Sequence, residues 1–316
     1  MIARQCTHND RKKHGKDRKG NQRWQCRSCR ATFVSDEQRP LGDMRIDLDK
    51  AAMVLSMLLE GMSIRACERI TKMKRDTICD LIVQVGEGCD KFLASRVRDV
   101  ESKFIELDEL WGFVTKKSKN VKPGDDPEAG DSWTWLAIDS DSKMILAHAV
   151  GKRDESTGVP FLRRLHKATT GRAQVTSDGL SVYTHNVPLE MGSRVDFAQL
   201  IKNYKSSQTE TRYSPATITS IEKKPRFGNP LESRISTSFV ERLNLTVRMQ
   251  VRRFTRLTNA HSKSARHHSA MVALFVAWYD FCRPHETLGK ATPAMACGLA
   301  DAKWTIRDLL TEAAKG

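Results

Sequence analysis

Apolar positions recur at helical spacing early in the chain and at strand spacing in its middle. Leu48, Ala51, Ala52, Leu55, Leu58 and Leu59 fall on one helix face, and the pattern stops at Gly61. Ser63 offers a hydroxyl cap to a second short helix carrying Ile64, Cys67 and Ile70. After the polar residues 71–75, a third helix runs through Ile78, Leu81, Ile82 and Val85. From residue 103 the period shortens. Residues 104–108 read as a strand, 133–138 and 144–150 as two more joined by a turn at 139–142, and Ala173–Ser177 as a fourth. The charged segment 116–132 reads as a loop and 157–168 as a helix. Residues 186–236 show no clear period and contain Pro188, Gly192, Pro215, Pro225, Gly228 and Pro230. Helices are predicted over 239–254, over 264–281 and after Trp304. Three strands, a helix, a further strand and then helices make an α/β pattern around a small mixed sheet.

Composition narrows the function classes. Hydrophobic residues make up 39% of the 316, enough for a sizeable core, which excludes a disordered chain. The apolar run at residues 271–279 falls far short of the ~20 residues that span a bilayer, so no membrane partner is expected. The basic, polar first thirty residues do not read as a secretory signal. Eight scattered cysteines do not read as a disulfide framework, and a reducing, cytoplasmic setting is expected. The net charge of +15 points to a polyanion, and its distribution sharpens the point. Residues 1–40 hold eleven Lys/Arg against four Asp/Glu, and residues 223–256 hold nine against two. Residues 101–141 reverse the sign, with ten acids against five lysines. Two basic regions flanking an acidic one fit a nucleic-acid binder with a cation site between.

Three carboxylates stand where such a site needs them. Asp108 lies near the end of the first strand, Asp178 follows the fourth, and Glu241 opens the helix predicted after Thr237. Strand ends in an open sheet face a common crevice, and a helix packed on the sheet brings a third acid there. Carboxylate oxygens suit Mg²⁺, and two such ions activate the attacking oxygen and stabilise the leaving oxygen of a phosphodiester. Taken singly, each acid reads as well as a turn or surface residue. Together they read otherwise, because two have apolar flanks and a buried acid needs a partner or a metal. Glu106 and Glu109 compete with Asp108. Glu106 shares its sheet face and Glu109 points oppositely, so Glu109→Gln is expected to keep activity. Along the third-acid helix, Leu243, Val247, Val251 and Phe254 form an apolar stripe. Glu241, Asn244, Arg248 and Arg252 form another face, suited to metal at one end and DNA phosphates beyond.

The N-terminal segment offers a second metal site. Cys26-x-x-Cys29 followed by Phe33 has the look of a zinc-ribbon knuckle, with Cys6 as third ligand and His8 and His14 competing for the fourth. The helices over residues 48–90 read as a helix-turn-helix with 75–85 as its recognition helix. Lys72, Lys74, Arg75 and Thr77 would meet phosphates and base edges.

These residues carry a resemblance to bacterial insertion-sequence transposases of the DDE class, insertion-sequence-one type. It runs from Lys13-His14-Gly15-Lys16-Asp17-Arg18 and Cys26-x-x-Cys29 through Gly61-Met62-Ser63-Ile64-Arg65 to Leu107-Asp108-Glu109-Leu110-Trp111. It continues in Ser177-Asp178-Gly179, in Phe239-Val240-Glu241-Arg242-Leu243-Asn244 and in Arg252-Arg253-Phe254-Thr255-Arg256. It closes in Tyr279-Asp280-Phe281-Cys282-Arg283-Pro284-His285 and Thr292-Pro293-Ala294. The resemblance implies an RNase H-like catalytic domain, a mixed five-stranded sheet with flanking helices, over residues 101–316. A zinc-ribbon-like segment (1–40) and an all-α helix-turn-helix domain (41–100) precede it. The catalytic triad falls on Asp108, Asp178 and Glu241, with Mg²⁺ or Mn²⁺ as cofactor and Zn²⁺ in the ribbon at Cys6, His8, Cys26 and Cys29. Expected partners are double-stranded DNA, both terminal inverted repeats and target, and further copies of the chain on that DNA in the bacterial nucleoid. In one respect the chain departs from the family pattern: Ala3 stands where the ribbon's first cysteine belongs. Two other readings compete, a DNA-binding regulator without catalysis and an RNase H-like nuclease or integrase.

Overall fold

The computed structural model describes residues 6, 8–18, 22–34, 40–205, 217–256 and 258–315, so Ala3 lies outside the described residues. Three short antiparallel strands, β1 (Arg11–Lys16), β2 (Gln22–Cys26) and β3 (Thr32–Val34), make a small sheet in that order. Helices α1 (Leu48–Leu59), α2 (Ile64–Thr71) and α3 (Arg75–Arg96) follow. The Asp47 carboxylate accepts from Lys50 N–H at the start of α1, and Ser63 accepts from Ala66 N–H at the start of α2. Lys72 ends α2 in the left-handed region at φ 58°. α3 outruns its predicted end at 85, because Cys89, Phe92 and Leu93 continue the buried face.

After the two-residue strand β4 (Val100–Glu101), strands β5 (Phe104–Val114), β6 (Gly130–Asp139) and β7 (Ile145–Gly151) form a meander. Helix α4 (Glu155–Ala168), β8 (Thr169–Thr170), β9 (Ala173–Ser177) and α5 (Ser181–Met191) lead to a long hairpin, β10 (Val195–Lys205) and β11 (Thr217–Phe227). Helices α6 (Ser238–Gln250), α7 (Ala265–Phe281), α8 (Pro293–Ala296) and α9 (Ile306–Ala313) complete the order.

The main sheet is mixed and has six strands in the order β11-β10-β9-β5-β6-β7, with β9 parallel to both neighbours. The expectation of five strands is corrected here, and the pattern-free stretch 186–236 explains the error. Phe197, Ala198, Gln199 and Leu200 of β10 are buried in succession, so no alternation marks that strand. β11 is exposed along its described length, so it joins the sheet by backbone pairing without an apolar face. Around the sheet, α4 and α5 cover one side, where Trp135 packs on Phe161 and Tyr183. Helices α6 and α7 cover the other, where Phe254 and His268 close over Gly112.

Helices α1–α3 share one apolar core with the sheet and with α7 and α9. The α3–α7 contact is close because α3 places Gly86 against α7. A Cβ on Gly86 would lie 2.2 Å from the Ala270 carbonyl oxygen. Gly86→Ala therefore forces two buried helices apart, and we expect a loss of about 1–3 kcal/mol with a lower melting temperature. Wild-type melting in that variant would contradict the helix spacing.

Candidate functional site: an acidic cluster at the end of a sheet strand

Strand β9 stops at Ser177, its partner Leu107 on β5 being the last in that ladder. Asp108 and Glu109 thus lie just beyond the end of β9, beside the turn that carries Asp178. Carboxylate oxygens of Asp108, Glu109 and Asp178 come within 4.8 Å of one another. Asp108 Oδ2 accepts from Asn244 Nδ2 at 2.7 Å, and its Oδ1 accepts from Glu109 N–H at 2.9 Å. Asp178 Oδ1 accepts from Leu180 N–H at 2.9 Å, and Arg153 Nη2 lies 3.0 Å from its Oδ2.

The charge in this cluster is under-compensated. Burial, with the Asp178 charge adding to it, pushes the Asp108 carboxyl up to about 6. Burial and Asp178 likewise push Glu109 up to about 7. Among the described residues, Asp108 in particular is held by amide partners and no ion pair, and hard carboxylate oxygens at this spacing are a fitting donor set for Mg²⁺ or Mn²⁺.

Glu241 stands outside the 4.8 Å group, exposed in the first turn of α6, yet its charge also raises Asp108. Thr237 Oγ1 donates to Glu241 at 2.6 Å, and the Lys202 ammonium on β10 meets the same oxygen. α6 is held to β5 by Glu106, whose Oε2 accepts from Phe239 N–H at 2.7 Å and Val240 N–H at 3.0 Å. A carboxylate on the free N–H groups of a helix start is favourable there. Glu106 thus couples the strand bearing Asp108 to the helix bearing Glu241.

Glu109 does lie on the sheet face opposite Glu106 and Asp108, as the strand period predicts. Its carboxylate nevertheless belongs to the cluster, because the end of β9 opens the two faces to each other. The side chain is fully buried, receives the Tyr183 hydroxyl, and pairs with Arg153 Nε at 3.0 Å. Arg153, which also covers Trp133 at 4.8 Å, and Tyr183 escaped the sequence reading. Neither sits in a motif, and only the fold brings them to the acids.

The expected DNA-contacting residues separate into two places. Lys72, Lys74 and Arg75 are exposed around the α2–α3 turn with Thr77 half-buried, and Arg75 Nε pairs with Glu68 at 3.0 Å. Asn244 is buried against Asp108, Arg248 Nη1 donates to the Phe254 carbonyl at 3.1 Å, and Arg252 is exposed past the end of α6. The α1–α2 turn touches that end of α6: at Gly61, φ +80°, a Cβ would lie 2.6 Å from the Met249 carbonyl oxygen. The apolar stripe of Leu243, Val247, Val251 and Phe254 is buried.

The structure also gathers Cys6, His8, Cys26 and Cys29. Cys6 Sγ lies 3.6 Å from Cys26 Sγ, and Cys29 Sγ lies 3.4 Å from His8 Nδ1. A tetrahedral zinc with bonds of about 2.0–2.3 Å places ligand atoms roughly 3.4–3.8 Å apart, so the set fits that ion. The Cys29 backbone amide and the His8 ring hold the Cys26 thiol down to about 6, which favours the ligating thiolate. His14 lies on β1, outside the group.

No family model matches the chain. The insertion element iso-IS1n protein InsB of Shigella dysenteriae is 24% identical over 176 residues, covering 56% of this chain and 95% of that protein. The chain is thus similar to a protein of a bacterial insertion element over more than half of its length. Among solved structures, a piggyBac transposase synaptic complex with hairpin DNA is 11% identical, with TM-score 0.40 over 86% of this chain and 71% of that one. A Mos1 transposase paired-end complex with the left transposon end is also 11% identical, with TM-score 0.22 over 52% and 62%. Among the described residues, no helix is long and apolar enough to cross a membrane.

Proposed function

We propose that the chain is a transposase that binds the terminal inverted repeats of an insertion sequence and carries out DNA strand cleavage and strand transfer. Residues 101–316 form its RNase H-like catalytic domain of the DDE class. The ribbon (1–40) and the helix-turn-helix (41–100) read the DNA ends, and copies of the chain pair on the DNA. The observation that carries this reading is the crowding of Asp108, Glu109 and Asp178 at the open end of β9, beside a helix that presents Glu241.

Asp108, Asp178 and Glu241 would hold two Mg²⁺ or Mn²⁺ ions. When bound, such a pair supplies an activated attacking oxygen and stabilises the leaving oxygen of a phosphodiester. The protein's own groups do the rest. Asn244 orients Asp108 through its amide, and Glu106 sets the helix that carries Glu241. Arg252 and Arg256 are exposed beyond α6 and hold phosphates, while Lys72 and Lys74 do so at the α2–α3 turn. The test is cleavage by the full chain on DNA carrying the flanking ends of its own element, with and without Mg²⁺. Metal-dependent nicking at the element ends is expected, and equal nicking of random DNA would refute end recognition.

Glu109 has a separate task. It anchors Arg153, which in turn reaches Asp178. Glu109→Gln keeps the shape and removes a buried hydrogen-bonded charge, a change of about 1.5–3 kcal/mol in that contact. The freed guanidinium then competes with metal for Asp178, so the Mg²⁺ requirement for cleavage should rise about tenfold. Protons compete as well. The wild-type metal requirement should rise as pH falls below neutrality, first as Glu109, at about 7, takes a proton and loosens Arg153, and then as the ligand Asp108, at about 6, is protonated. A metal requirement unchanged by Glu109→Gln would remove Glu109 from the site.

A further inference from the structure

We infer that Gln199, with Arg226 behind it, is a positioning residue that fixes the loop carrying Asp178. This rests on the metal-binding reading of that loop. The β9–β10 ladder ends at the pair Ser177 and Gln199. Beyond it the chain turns through Asp178, Gly179 and Leu180 into α5, and the turn's carbonyls lie past the last ladder pair. Gln199 takes their place. Its side chain is fully buried, and Nε2 donates to the Asp178 carbonyl at 2.8 Å and to the Leu180 carbonyl at 3.1 Å. Its Oε1 accepts from Arg226 Nε at 2.8 Å and from Thr184 Oγ1 at 3.4 Å.

A primary amide has two N–H donors and one oxygen with two lone pairs, and all four are used. The orientation of the amide follows from its partners, because carbonyls only accept and a guanidinium only donates. The Asp178 turn is therefore clamped from three sides: by β10 through Gln199, by α5 through Thr184, and by the exposed strand β11 through Arg226. Asp178 Oδ1 bonds to Leu180 N–H inside the same turn, so the clamp sets the carboxylate as well as the backbone. Partners of this kind orient metal ligands without touching the metal.

A second buried glutamine supplies the comparison. Gln174, near the start of β9, accepts from Leu231 N–H at 2.7 Å and donates to the Leu231 carbonyl at 3.2 Å. It has the same chemistry and similar burial, but it braces a segment outside the acidic cluster.

The experiment is Mn²⁺ binding to the full chain without DNA, followed by electron paramagnetic resonance, beside thermal melting of each variant. Gln199→Met should weaken Mn²⁺ binding about tenfold or more, the usual range for removing a partner of a metal ligand. Gln174→Met should lower the melting temperature comparably and leave Mn²⁺ affinity unchanged. Arg226→Ala, on the exposed strand, should weaken binding less than Gln199→Met, and Arg226→Lys should restore part of the loss. Should Gln199→Met fail to fold, the Arg226 pair decides the matter alone. Wild-type Mn²⁺ affinity in Gln199→Met or, failing that variant, in Arg226→Ala would overturn the inference, as would equal weakening by Gln174→Met. Asp178→Asn separates the two levels. If it binds Mn²⁺ as wild type does, the metal reading itself fails. If it loses Mn²⁺ while Gln199→Met does not, only the positioning role fails.

Discussion

Asp178→Asn should abolish cleavage and strand transfer, to background in both Mg²⁺ and Mn²⁺, while leaving binding to the element ends intact. The amide keeps the side chain's shape and removes the charge that would hold metal beside Asp108. Little stability is at stake, because the Asp178 side chain is 36% exposed and its Arg153 partner is equally so. The bond from Leu180 N–H survives on the amide oxygen, so the turn and the helix after it stay in place. In the proposed reading, end binding would draw on the ribbon, the α2–α3 turn and the arginines past α6, none of which is, among the described residues, a partner of Asp178. It should hold or tighten without metal, since one negative charge near the phosphates is gone. Asp108→Asn and Glu241→Gln should behave alike. A cleavage assay and a gel shift on the same preparations decide the matter. Full cleavage by Asp178→Asn would refute the triad, and parallel loss of binding and cleavage would point to misfolding.

Much of this arrangement is legible in the sequence, and the parts that are not have physical reasons. Strand β9 was readable to the residue, as Ala173–Ser177, because it is a short apolar run ended by Asp178-Gly179. The Ser63 cap and the buried Leu243 and Val247 of α6 follow from spacing alone. The helix expected to reach 254 ends instead at Gln250, and Phe254 is buried from a separate 3-10 turn, Arg252–Phe254. The hairpin β10–β11 did not, since one strand is buried without alternation and the other lies open at the sheet edge. For Glu109 the period of two gives the correct face and the wrong environment. Side-chain alternation separates two environments only where neighbouring strands continue, and β9 stops at Ser177. Arg153 in the β7–α4 connection, Tyr183 on α5 and Gln199 on β10 share no motif, so only the fold joins them to the acids.

Removing zinc should loosen the N-terminal segment and cost end binding while the rest of the fold melts as before. The apolar core that unites α1–α3, the main sheet and α7 contains none of the described residues before Leu41. The small sheet β1–β3 has little apolar burial of its own: β1 is exposed throughout, and Cys26 and Val34 are the buried positions. So small an interior cannot offset the entropy of ordering its strands, and domains of this size fold on a metal. Cys6, His8, Cys26 and Cys29, which the structure gathers, would hold it. Protein purified from a zinc-replete host should therefore carry about one zinc per chain. A zinc-selective chelator should raise amide-hydrogen exchange over residues 8–34 and leave α3 and α7 protected. Cys26→Ser should do the same without chelator. In a gel shift without Mg²⁺, the affinity for element ends should fall with zinc loss, because the basic strand β1 loses its fixed geometry against the phosphates. Protein that carries far less than one zinc per chain yet binds element ends normally would show that the ribbon holds its shape without metal.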